Sequence, residues 1–504
     1  MPLLKTEEWY DIARDTNWTP RYVTEQQLFP PELTDRFGVP LAAMEGFDEP
    51  YKVTYREYVR TQREKDMGAY SVKAALARSK LYENADPGWR ALLQLHFGAA
   101  SFLEYNSISA FARMTRFSRA PGMRNMATFG SLDETRHSQI HLYFAYEHLI
   151  RSRSFDWAHK APRSNNWVII SERHTFDDIE HTRDAVSAAI MTNFAFETAF
   201  TNLQFVALSA DAANYGDFSF STMLQTIQSD EARHAQIGEP LLRILIDSGF
   251  KAEAQKLVDI SFWRCWKQFS ALSGICMDYY TPLENREYSF KEFMHEWVID
   301  QFMTKIFDIG LEKPWYWDLF LEDIDVFHHA QHIGVYLYRA TEWWHPVAAT
   351  GPAEREWLET KYPGWGVTFG KVWDVIAQNV ASGRHERTQP SCLPMLCNMH
   401  GFELTGVPGA KWNVKDYTLD RAGRRYHFQS SVDKWIFEQE PERYAGHLSL
   451  IDRVVQGVVS LDKVFDYMHM APEERGTDGQ QYRWTQEPRG GSAGDPLGRR
   501  RSAG

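Results

Sequence analysis

Apolar residues recur three and four positions apart over most of this chain, which is the spacing of one face of an α-helix. The spacing is clearest at residues 183–212 and 217–245, and it extends from about residue 64 to residue 381. Few stretches alternate with a period of two, so few strands are expected. The pattern therefore predicts a mainly α-helical protein, with the helical domain at residues 61–385.

Both ends of the chain depart from this helical spacing. Residues 1–60 are rich in Pro, Trp and Tyr without regular periodicity, which predicts an extended N-terminal arm. Residues 386–471 contain short β-prone pieces and the turn sequence DRAGR, which predicts a small α+β domain. Residues 472–504 are rich in Gly, Pro and Arg, which predicts a disordered tail.

One five-residue motif occurs twice within the helical domain. DETRH at residues 133–137 recurs as DEARH at residues 230–234. Each copy is preceded by another helix that carries a Glu among apolar residues, Glu104 for the first copy and Glu197 for the second. A helix pair used twice predicts a four-helix bundle with internal pseudo-symmetry, as in ferritin-like proteins.

The residue types in this repeat indicate a metal site. Within each copy the Glu and the His are three positions apart, so both side chains lie on one helix face. A single copy is usually a solvated helix face, but two copies with two further Glu residues match the ligand set of di-iron and di-manganese carboxylate proteins. Oxygen and imidazole donors suit iron or manganese, and the lack of thiolates disfavours structural zinc. The predicted ligands are Glu104, Glu134, His137, Glu197, Glu231 and His234.

The Asp that opens each motif has two possible roles. Asp133 and Asp230 are placed to accept the outer N–H of the opposite copy's imidazole, which pairs Asp133 with His234 and Asp230 with His137. Alternatively, each Asp caps the helix or pairs with the Arg of its own motif. We favour the first role because carboxylate–histidine–metal triads are common.

The positions beside the predicted ligands are apolar, with a few hydroxyls. An apolar pocket next to a metal pair suits an apolar substrate, although such stripes are often only part of the core. Thr201 lies one turn after Glu197, so its hydroxyl is expected to face the metals. The positions on these two helix faces are Ala100, Ser107, Ile108, Phe111, Ile190, Phe194, Thr201 and Phe205.

Charge and cysteine content exclude several classes of protein. The formal net charge is −12, with 67 acidic and 55 basic residues, which disfavours a nucleic-acid or anionic-membrane binder. No apolar run is long enough for a bilayer, and the N-terminus does not resemble a signal peptide. The four cysteines indicate no disulfide framework, so a cytoplasmic location is predicted. They are Cys265, Cys276, Cys392 and Cys397.

At these motifs the sequence resembles the large subunit of the bacterial multicomponent monooxygenases, most of all the toluene and alkene (including isoprene) group. The resemblance extends from about Trp9 to Met468. It is carried by stretches such as DTNWTP, REKDMGAYSVKAAL, RNMATFGSLDETRH, FETAFTN, QSDEARH, MDYYTPLE and KPWYWDLFL. It implies a diiron centre in which one iron is bound by Glu104, Glu134 and His137, and the other by Glu197, Glu231 and His234.

The resemblance also implies further roles and partners. Thr201 is expected to assist oxygen activation, and Asn202 and Gln228 to change conformation when a small effector protein docks. The expected assembly is α2β2γ2, with β and γ subunits, a Rieske ferredoxin and an NADH-dependent reductase. The chain has no Gly-rich nucleotide fingerprint and no iron–sulfur cysteine pattern, so NADH, FAD and [2Fe–2S] are assigned to the partners. The C-terminal domain resembles a YHS-type domain with a structural role.

The predicted substrate pocket departs from the pattern of the enzymes that oxidise aromatic rings. Leu103 replaces a Gly, His141 a Gln, Ser107 a small apolar residue and Glu180 an apolar residue. Leu103 adjoins a ligand and narrows the pocket, which favours epoxidation of a short alkene such as propene or isoprene. Hydroxylation of toluene or benzene by the same centre is the alternative. The predicted pocket residues are Ala100, Leu103, Ser107, Phe111, His141, Phe176, Glu180, Phe196 and Phe205.

Two other classes of helical iron protein were weighed. A non-catalytic ferritin- or rubrerythrin-like iron protein is disfavoured by the chain length, the high aromatic content and the lack of a rubredoxin-like cysteine set. A ribonucleotide reductase radical subunit needs a tyrosine near the iron pair. Tyr105 is close in sequence, but it follows Glu104 directly and should point away from the metals.

Overall fold

The computed structural model describes most of the chain. The described residues are 4–14, 21–149, 167–201, 203–339, 342–348, 351–388, 390–392, 394–404 and 417–467. The predicted tail at residues 472–504 and the predicted site residue Asn202 lie outside them.

Four helices form the central bundle, and one further helix lies beside it. In chain order, α1 is the flanking helix and α2 to α5 are the bundle helices. Their bounds are α1 Tyr55–Leu76; α2 Pro87–Phe117; α3 Pro121–Leu149; α4 Ala185–Ala189, continued by the π-helical Ile190–Phe200 and Leu203–Ala207 and the α-helical Leu208–Tyr215; and α5 Phe218–His234.

The remaining elements of the described residues are helices around this bundle, most of them short, and one hairpin. The prediction of a mainly helical, ferritin-like fold with a small α+β C-terminal part is confirmed. On the N-terminal side of α5 the other helices are Thr6–Arg14, Glu25–Leu28, Pro31–Thr34, Leu41–Glu45, Leu81–Asn84 and Trp167–Ile179. After α5 the helices are Ala235–Ile237, Gly238–Asp247, Lys251–Phe269, Ser270–Gly274, Cys276–Tyr280, Leu283–Asn285, Phe290–Phe293, Met294–Phe302, Met303–Ile309, Trp317–Ile324, Phe327–Leu337, Pro352–Lys361, Gly366–Gly370, Lys371–Ala381, His385–Thr388, Ser431–Gln439, Pro441–Tyr444, Leu450–Val455, Leu461–Lys463 and Val464–Tyr467.

The N-terminal half of helix α2 is deeply buried. It begins at Pro87, and the carboxylate of Asp86 caps it by accepting a hydrogen bond from the Gly88 N–H at 2.7 Å. Every residue from Gly88 to Ser101 is buried, so this half of the helix is covered on all sides. Close contact is possible because Gly98 faces the Trp343 indole. The burial holds Glu104 rigidly at the centre of the protein.

The described part of residues 1–60 contains four short helices and the beginning of α1, where an extended arm was predicted. Thr54 and Glu57 start α1 with a capping box, in which each side chain accepts from the other residue's main-chain N–H. The helix then crosses the boundary predicted at residue 60. The capping box is a strong local signal for the start of a helix, but it lies in a segment whose apolar residues are otherwise irregularly spaced. The division of the chain into domains stays a prediction.

The C-terminal part contains an antiparallel hairpin of β1 (Thr418–Arg421) and β2 (Arg424–His427). Arg421 pairs with Arg424, so Ala422 and Gly423 form a two-residue turn. Both have positive φ, at 49° and 77°, as a type I′ turn requires. The turn predicted from DRAGR is therefore present, and the positive φ of Ala422 is a strained feature that Asn or Gly would relieve.

Membrane-spanning helices and disulfide bonds were both unexpected from the sequence. Within the described ranges, no helix combines the length and the hydropathy that a bilayer crossing needs. All four cysteines are free thiols, as the lack of a disulfide framework predicted, and only Cys392 is exposed.

A glycine pair tests the packing around α2. A Cβ at Gly98 would lie 2.0 Å from Nε1 of Trp343, whereas a Cβ at Gly68, exposed on α1, would meet nothing within 4 Å. Gly98→Ala is expected to destabilise the protein by about 1–3 kcal/mol because the indole must move. Gly68→Ala is the control and is expected to stabilise it by about 0.5–1 kcal/mol. Thermal unfolding of both variants checks the difference, and equal effects would contradict the close packing.

Candidate metal centre

The six predicted ligands come together in the middle of the bundle. Glu104 is on α2, Glu134 and His137 are on α3, and Glu197 is in the π-helical part of α4. Glu231 and His234 end α5. All six side chains are buried. Short π-helical segments are often found at functional sites, because they place a side chain where a regular helix would not.

The imidazole of His137 faces three carboxylates. Its Nδ1 is 3.0 Å from Oε1 of Glu231, 3.3 Å from Oε2 of Glu104 and 3.7 Å from Oε2 of Glu134. One potential ligand atom from each of these four residues lies within 4.8 Å of all the others. That spacing fits a single ion.

The imidazole of His234 faces a second set of carboxylates. Its Nδ1 is 3.1 Å from Oε1 of Glu134, 3.2 Å from Oε2 of Glu231 and 3.8 Å from Oε1 of Glu197. These four residues also offer ligand atoms within 4.8 Å of one another. Glu134 and Glu231 thus belong to both groups, which suits carboxylates that bridge two ions.

The outer nitrogen of each imidazole faces the Asp of the opposite motif. Nε2 of His137 lies 3.2 Å from Oδ2 of Asp230, and Nε2 of His234 lies 3.2 Å from Oδ2 of Asp133. The Arg residues also reach these carboxylates, since Nη2 of Arg233 donates to both Asp133 and Asp230. Asp230 thus combines both predicted roles, whereas Asp133 binds the Arg of the opposite motif and not Arg136 of its own. Each Asp turns the inner nitrogen of an imidazole toward the carboxylates while an Arg offsets its charge.

Helix α1 completes this outer network from beside the bundle. The Gln62 amide donates one N–H to Oδ1 of Asp133 at 2.7 Å and one to Oδ1 of Asp230 at 2.8 Å. Tyr58, one turn before, donates to Asp133 at 2.8 Å, and Lys65 donates to Asp230 at 2.6 Å. Tyr58, Gln62 and Lys65 share one helix face, so α1 fixes both carboxylates together.

Burial and mutual repulsion shift the protonation of the cluster. Burial, followed by repulsion from Glu231, raises the pKa of Glu134 to about 7 and raises that of Glu197 well above its usual range. Burial also acts on Glu231, but the charge of His234 and hydrogen bonds from both imidazoles hold its pKa well below its usual range. Burial would lower the pKa of His137, yet hydrogen bonds to carboxylates raise it. The buried carboxylates therefore attract positive charge strongly.

The donor set fits two divalent ions. Oε2 of Glu197 is buried and has no hydrogen-bond partner among the described residues. Four carboxylates can offset the charge of two divalent ions, which makes such ions tolerable inside the bundle. Carboxylate oxygens with imidazole suit iron or manganese better than zinc or calcium.

A largely apolar cavity adjoins this cluster. Four of the predicted ligands, Glu104, Glu134, Glu197 and Glu231, form part of its wall. The apolar wall residues are Leu95, Ala99, Ala100, Leu103, Phe176, Phe196, Phe205, Phe269, Leu272 and Cys276, and the other polar ones are His96, Ser107, Thr201 and Gln204.

Six of the nine predicted pocket residues line this cavity, namely Ala100, Leu103, Ser107, Phe176, Phe196 and Phe205. Phe111 does not, because the cavity extends along α2 from Leu95 to Ser107, and Phe111 lies one turn beyond Ser107. Its ring packs on the His234 imidazole at 4.7 Å between centroids. It also fills the space that a side chain at Gly130 would need.

The other two predicted pocket residues lie behind the wall. Nε2 of His141 is 3.1 Å from Nε2 of His96, which does line the cavity. The Glu180 carboxyl bonds to the hydroxyl of Ser107, which also lines it. Both predictions were wrong about direct exposure to the cavity, because each side chain is separated from it by another polar group.

The polar residues around Thr201 are placed as follows. Thr201 lines the cavity, and its hydroxyl donates to the main-chain carbonyl of Glu197 at 2.7 Å, so its oxygen can still accept a hydrogen bond. Gln228 lies half-buried one turn before Glu231 on α5. Tyr105 is 69% exposed, as expected for a residue that points away from the metals. The roles of Thr201 and Gln228 stay predictions.

Several cavity residues were missed from the sequence. His96 lies two turns before Glu104 on the same face of α2, so an extension of that face would have found it. Its Nδ1 is 2.6 Å from Nε2 of Gln204, three residues after Thr201. Phe269, Leu272 and Cys276 come from the helical stretch after α5, and no local pattern connects them to the motifs.

Comparison with known proteins places this site among oxygenases. The model of the family described as methane/phenol/alkene hydroxylase matches residues 18–249, and that of the YHS domain matches residues 408–448. The α subunit of the oxygenase component of the alkene monooxygenase system of Xanthobacter autotrophicus (strain ATCC BAA-1158 / Py2) is 42% identical over 487 residues, 96% of this chain and 98% of that protein.

Two phenol-oxidising proteins are more distant relatives. The oxygenase component DmpN of phenol 2-monooxygenase from Pseudomonas sp. (strain CF600) is 27% identical over 88% of this chain and 86% of that protein. The crystal structure of xenon-pressurized phenol hydroxylase from Pseudomonas sp. OX1 superposes with a TM-score of 0.83 at 25% identity, covering 93% of this chain and 96% of that one. The similarity therefore spans the helical core and the C-terminal part alike.

The contacts of Gln62 predict a measurable effect on metal binding. Gln62→Leu removes the amide that holds both Asp133 and Asp230, so the imidazoles lose their fixed orientation. The affinity for metal is expected to fall about 10–100-fold, as is typical when such outer partners are removed. Competition with a chelator measures it, and Glu64→Gln, at an exposed position of α1, is the matched control. An unchanged affinity in Gln62→Leu would show that the Gln62 amide does not orient the site.

Proposed function

Because the chain belongs to the family of methane, phenol and alkene hydroxylases, we propose that it is the oxygenase α subunit of a multicomponent alkene monooxygenase. The observation that carries the proposal is the end-to-end similarity to an alkene monooxygenase α subunit, combined with the ligand cluster beside an apolar cavity. The substrate class is a short alkene such as propene or isoprene, and the product is its epoxide.

The metal pair is two iron ions. Glu104, Glu134 and His137 would hold one, and Glu197, Glu231 and His234 would hold the other; Glu134 and Glu231 belong to both groups of potential ligands. When bound, the irons supply the reduction and cleavage of O2: alkene, O2, two electrons and two protons yield epoxide and water. Manganese fits the same donors, so the native metal is part of the proposal.

The chain's own side chains prepare the cavity for this reaction. Its apolar walls bury a hydrocarbon and exclude water, which protects reactive species from side reactions. The Thr201 hydroxyl donates its hydrogen to the main-chain carbonyl of Glu197. The Thr201 oxygen can therefore accept a hydrogen bond from a group bound in the cavity beside the ligands. The side chain of Leu103, next to Glu104, takes up space where the substrate approaches the carboxylates.

Aromatic hydroxylation is the second candidate function. Four phenylalanine rings line the cavity, at Phe176, Phe196, Phe205 and Phe269, and such rings can pack on a flat substrate. Against this stands Leu103, whose branched side chain narrows the same space. A direct competition between an alkene and toluene separates the two candidates.

The remaining parts of the system are proposed as partners of this chain. They are the β and γ subunits in an α2β2γ2 assembly, a small effector protein, a Rieske ferredoxin and an NADH-dependent reductase that carries FAD and [2Fe–2S]. Asn202 and Gln228 are proposed to respond to the effector, and the location is proposed to be the cytoplasm.

The assignment of the ligands is tested by removing one of them. Glu134→Ala and His234→Ala are expected to lose iron while the bundle stays folded, since its apolar contacts remain. Glu147→Ala, on the same helix and paired with Lys73, is the control and should keep two irons per chain. Metal analysis, Mössbauer spectroscopy and circular dichroism measure the outcome. One iron per chain in the unaltered protein, or a thiolate ligand, would contradict the assignment.

The substrate class is tested with the partner proteins present. With NADH and O2, a short alkene is expected to be epoxidised with a higher kcat/KM than toluene is hydroxylated. Leu103→Gly should shift this ratio toward toluene by at least about 10–200-fold, the range for a single misplaced methylene in an apolar pocket. Leu132→Gly is exposed on α3 and should leave the ratio unchanged. A preference of the unaltered enzyme for toluene would favour the aromatic alternative.

A further inference from the structure

A buried carboxyl group lies one side chain away from the cavity and is not among the ligands. Glu180 follows the helix Trp167–Ile179, and its side chain is fully buried. Its Oε1 makes a short hydrogen bond with the Ser107 hydroxyl, and its Oε2 accepts from the amide of Asn106 at 2.9 Å. Among the described residues, no Lys, Arg or His forms an ion pair with it.

Counting donors and acceptors shows how a neutral Glu180 satisfies every group. The Ser107 hydroxyl is within hydrogen-bond distance of Oε1 of Glu180 and lies 3.2 Å from the main-chain carbonyl of Leu103, and it has one hydrogen to donate. Because Asn106 donates to Oε2, the hydrogen of a neutral carboxyl group is on Oε1 and faces the Ser107 oxygen, so the Ser107 hydrogen goes to Leu103. With a neutral Glu180, Oε1–H donates to Ser107, Ser107 donates to Leu103, and Asn106 donates to Oε2.

An ionised Glu180 would be poorly placed. It would be a buried charge without a cation, and it would take the Ser107 hydrogen away from the Leu103 carbonyl. Burial is the main cause that raises the pKa of Glu180 well above its usual range, and Glu134 and Glu104 also act on it electrostatically. The Cys265 thiol also interacts electrostatically with the Glu180 carboxyl group. Arg113 donates to the main-chain carbonyl of Glu180 at 3.4 Å and not to its carboxyl group.

We propose that Glu180 is a positioning residue: as an uncharged hydrogen-bond donor it holds the Ser107 hydroxyl toward Leu103 and away from the cavity. This rests on the proposed function, because the turn of α2 from Leu103 to Ser107 forms the wall beside Glu104. The hydroxyl then presents no free hydrogen to an apolar alkene. Glu180 thereby sets the orientation of the alkene and so the ratio of the two epoxide enantiomers.

Two substitutions at residue 180 separate hydrogen bonding from charge. Glu180→Gln keeps an N–H donor toward Ser107 and an acceptor for Asn106, so kcat/KM should stay within about twofold of the unaltered enzyme and the enantiomer ratio should be unchanged. Glu180→Ile removes both and should lower kcat/KM about tenfold and change the enantiomer ratio.

Substitution of Ser107 tests the route of the effect. Ser107→Ala should change the enantiomer ratio as Glu180→Ile does, and the double variant should add little to either single change, since both remove the same contact. Full additivity of the two changes would overturn the proposal. It would also be overturned if Glu180→Gln were as impaired as Glu180→Ile, because Glu180 would then act by its charge or its proton. An unchanged enantiomer ratio in Glu180→Ile would overturn it as well.

A readout without turnover distinguishes failure of this inference from failure of the proposed function. The infrared band of a protonated carboxylic acid should weaken in Glu180→Gln relative to the unaltered protein. Because the pKa of Glu180 is raised from 4.5, the unaltered protein should lose thermal stability relative to Glu180→Gln as the pH rises above that value. If neither difference is seen, Glu180 is ionised and the inference fails. If both are seen but no epoxide forms, only the proposed function fails.

Discussion

The burial of four carboxylates and two imidazoles at one point is the constraint on which the rest of this structure depends. Such a cluster is costly in a low-dielectric core unless cations and hydrogen bonds offset it. On one side of the cluster, the surrounding helices supply these cations and hydrogen bonds. Asp133 and Asp230 accept from the imidazoles, and Arg233 and Lys65 offset their charge. Gln62 joins the two Asp residues, so the two halves of the site are fixed as one unit.

The opposite side of the cluster is apolar. Helix α2 runs past the site, and its cavity-facing residues from Leu95 to Ser107 lie on the side that adjoins substrate. Phe111, farther along the same face, packs on His234 and closes the cluster off. The ligand cluster thus lies between a hydrogen-bonded network that orients its side chains and a largely apolar cavity. An oxidation of hydrocarbons needs both, because the oxidant must be held rigidly and shielded from solvent.

The other polar side chains near the cavity satisfy their hydrogen-bonding groups by bonding to one another. Glu180 is bonded to Ser107, and His141 is bonded to His96, which in turn accepts from Gln204. In both cases a group that is costly to bury stands behind one that lines the cavity. Apart from the four ligand carboxylates, the polar groups of the wall are therefore paired by directional hydrogen bonds. This allows shape and orientation, rather than electrostatic attraction, to select among small hydrocarbons.

The helical fold and the ligand set followed from the sequence because both depend on short-range spacing. A Glu and a His three residues apart share a helix face in any helix, and the repeat of the motif with Glu104 and Glu197 implied two such helix pairs. The crossed pairing of Asp133 and Asp230 with the imidazoles followed from the same symmetry. The walls of the cavity did not follow, because they are assembled from segments far apart in the chain.

Only the tertiary structure decided which side of the metal cluster each residue occupies. Phe111 and His96 lie on one face of α2, yet only His96 reaches the cavity, because α5 brings His234 against Phe111. Cys276 carries no motif, and it joins the cavity because the helices after α5 fold back over α2. The periodicity of a helix gives the direction of a side chain around its axis. Which neighbour meets that side chain is set by the packing of distant helices.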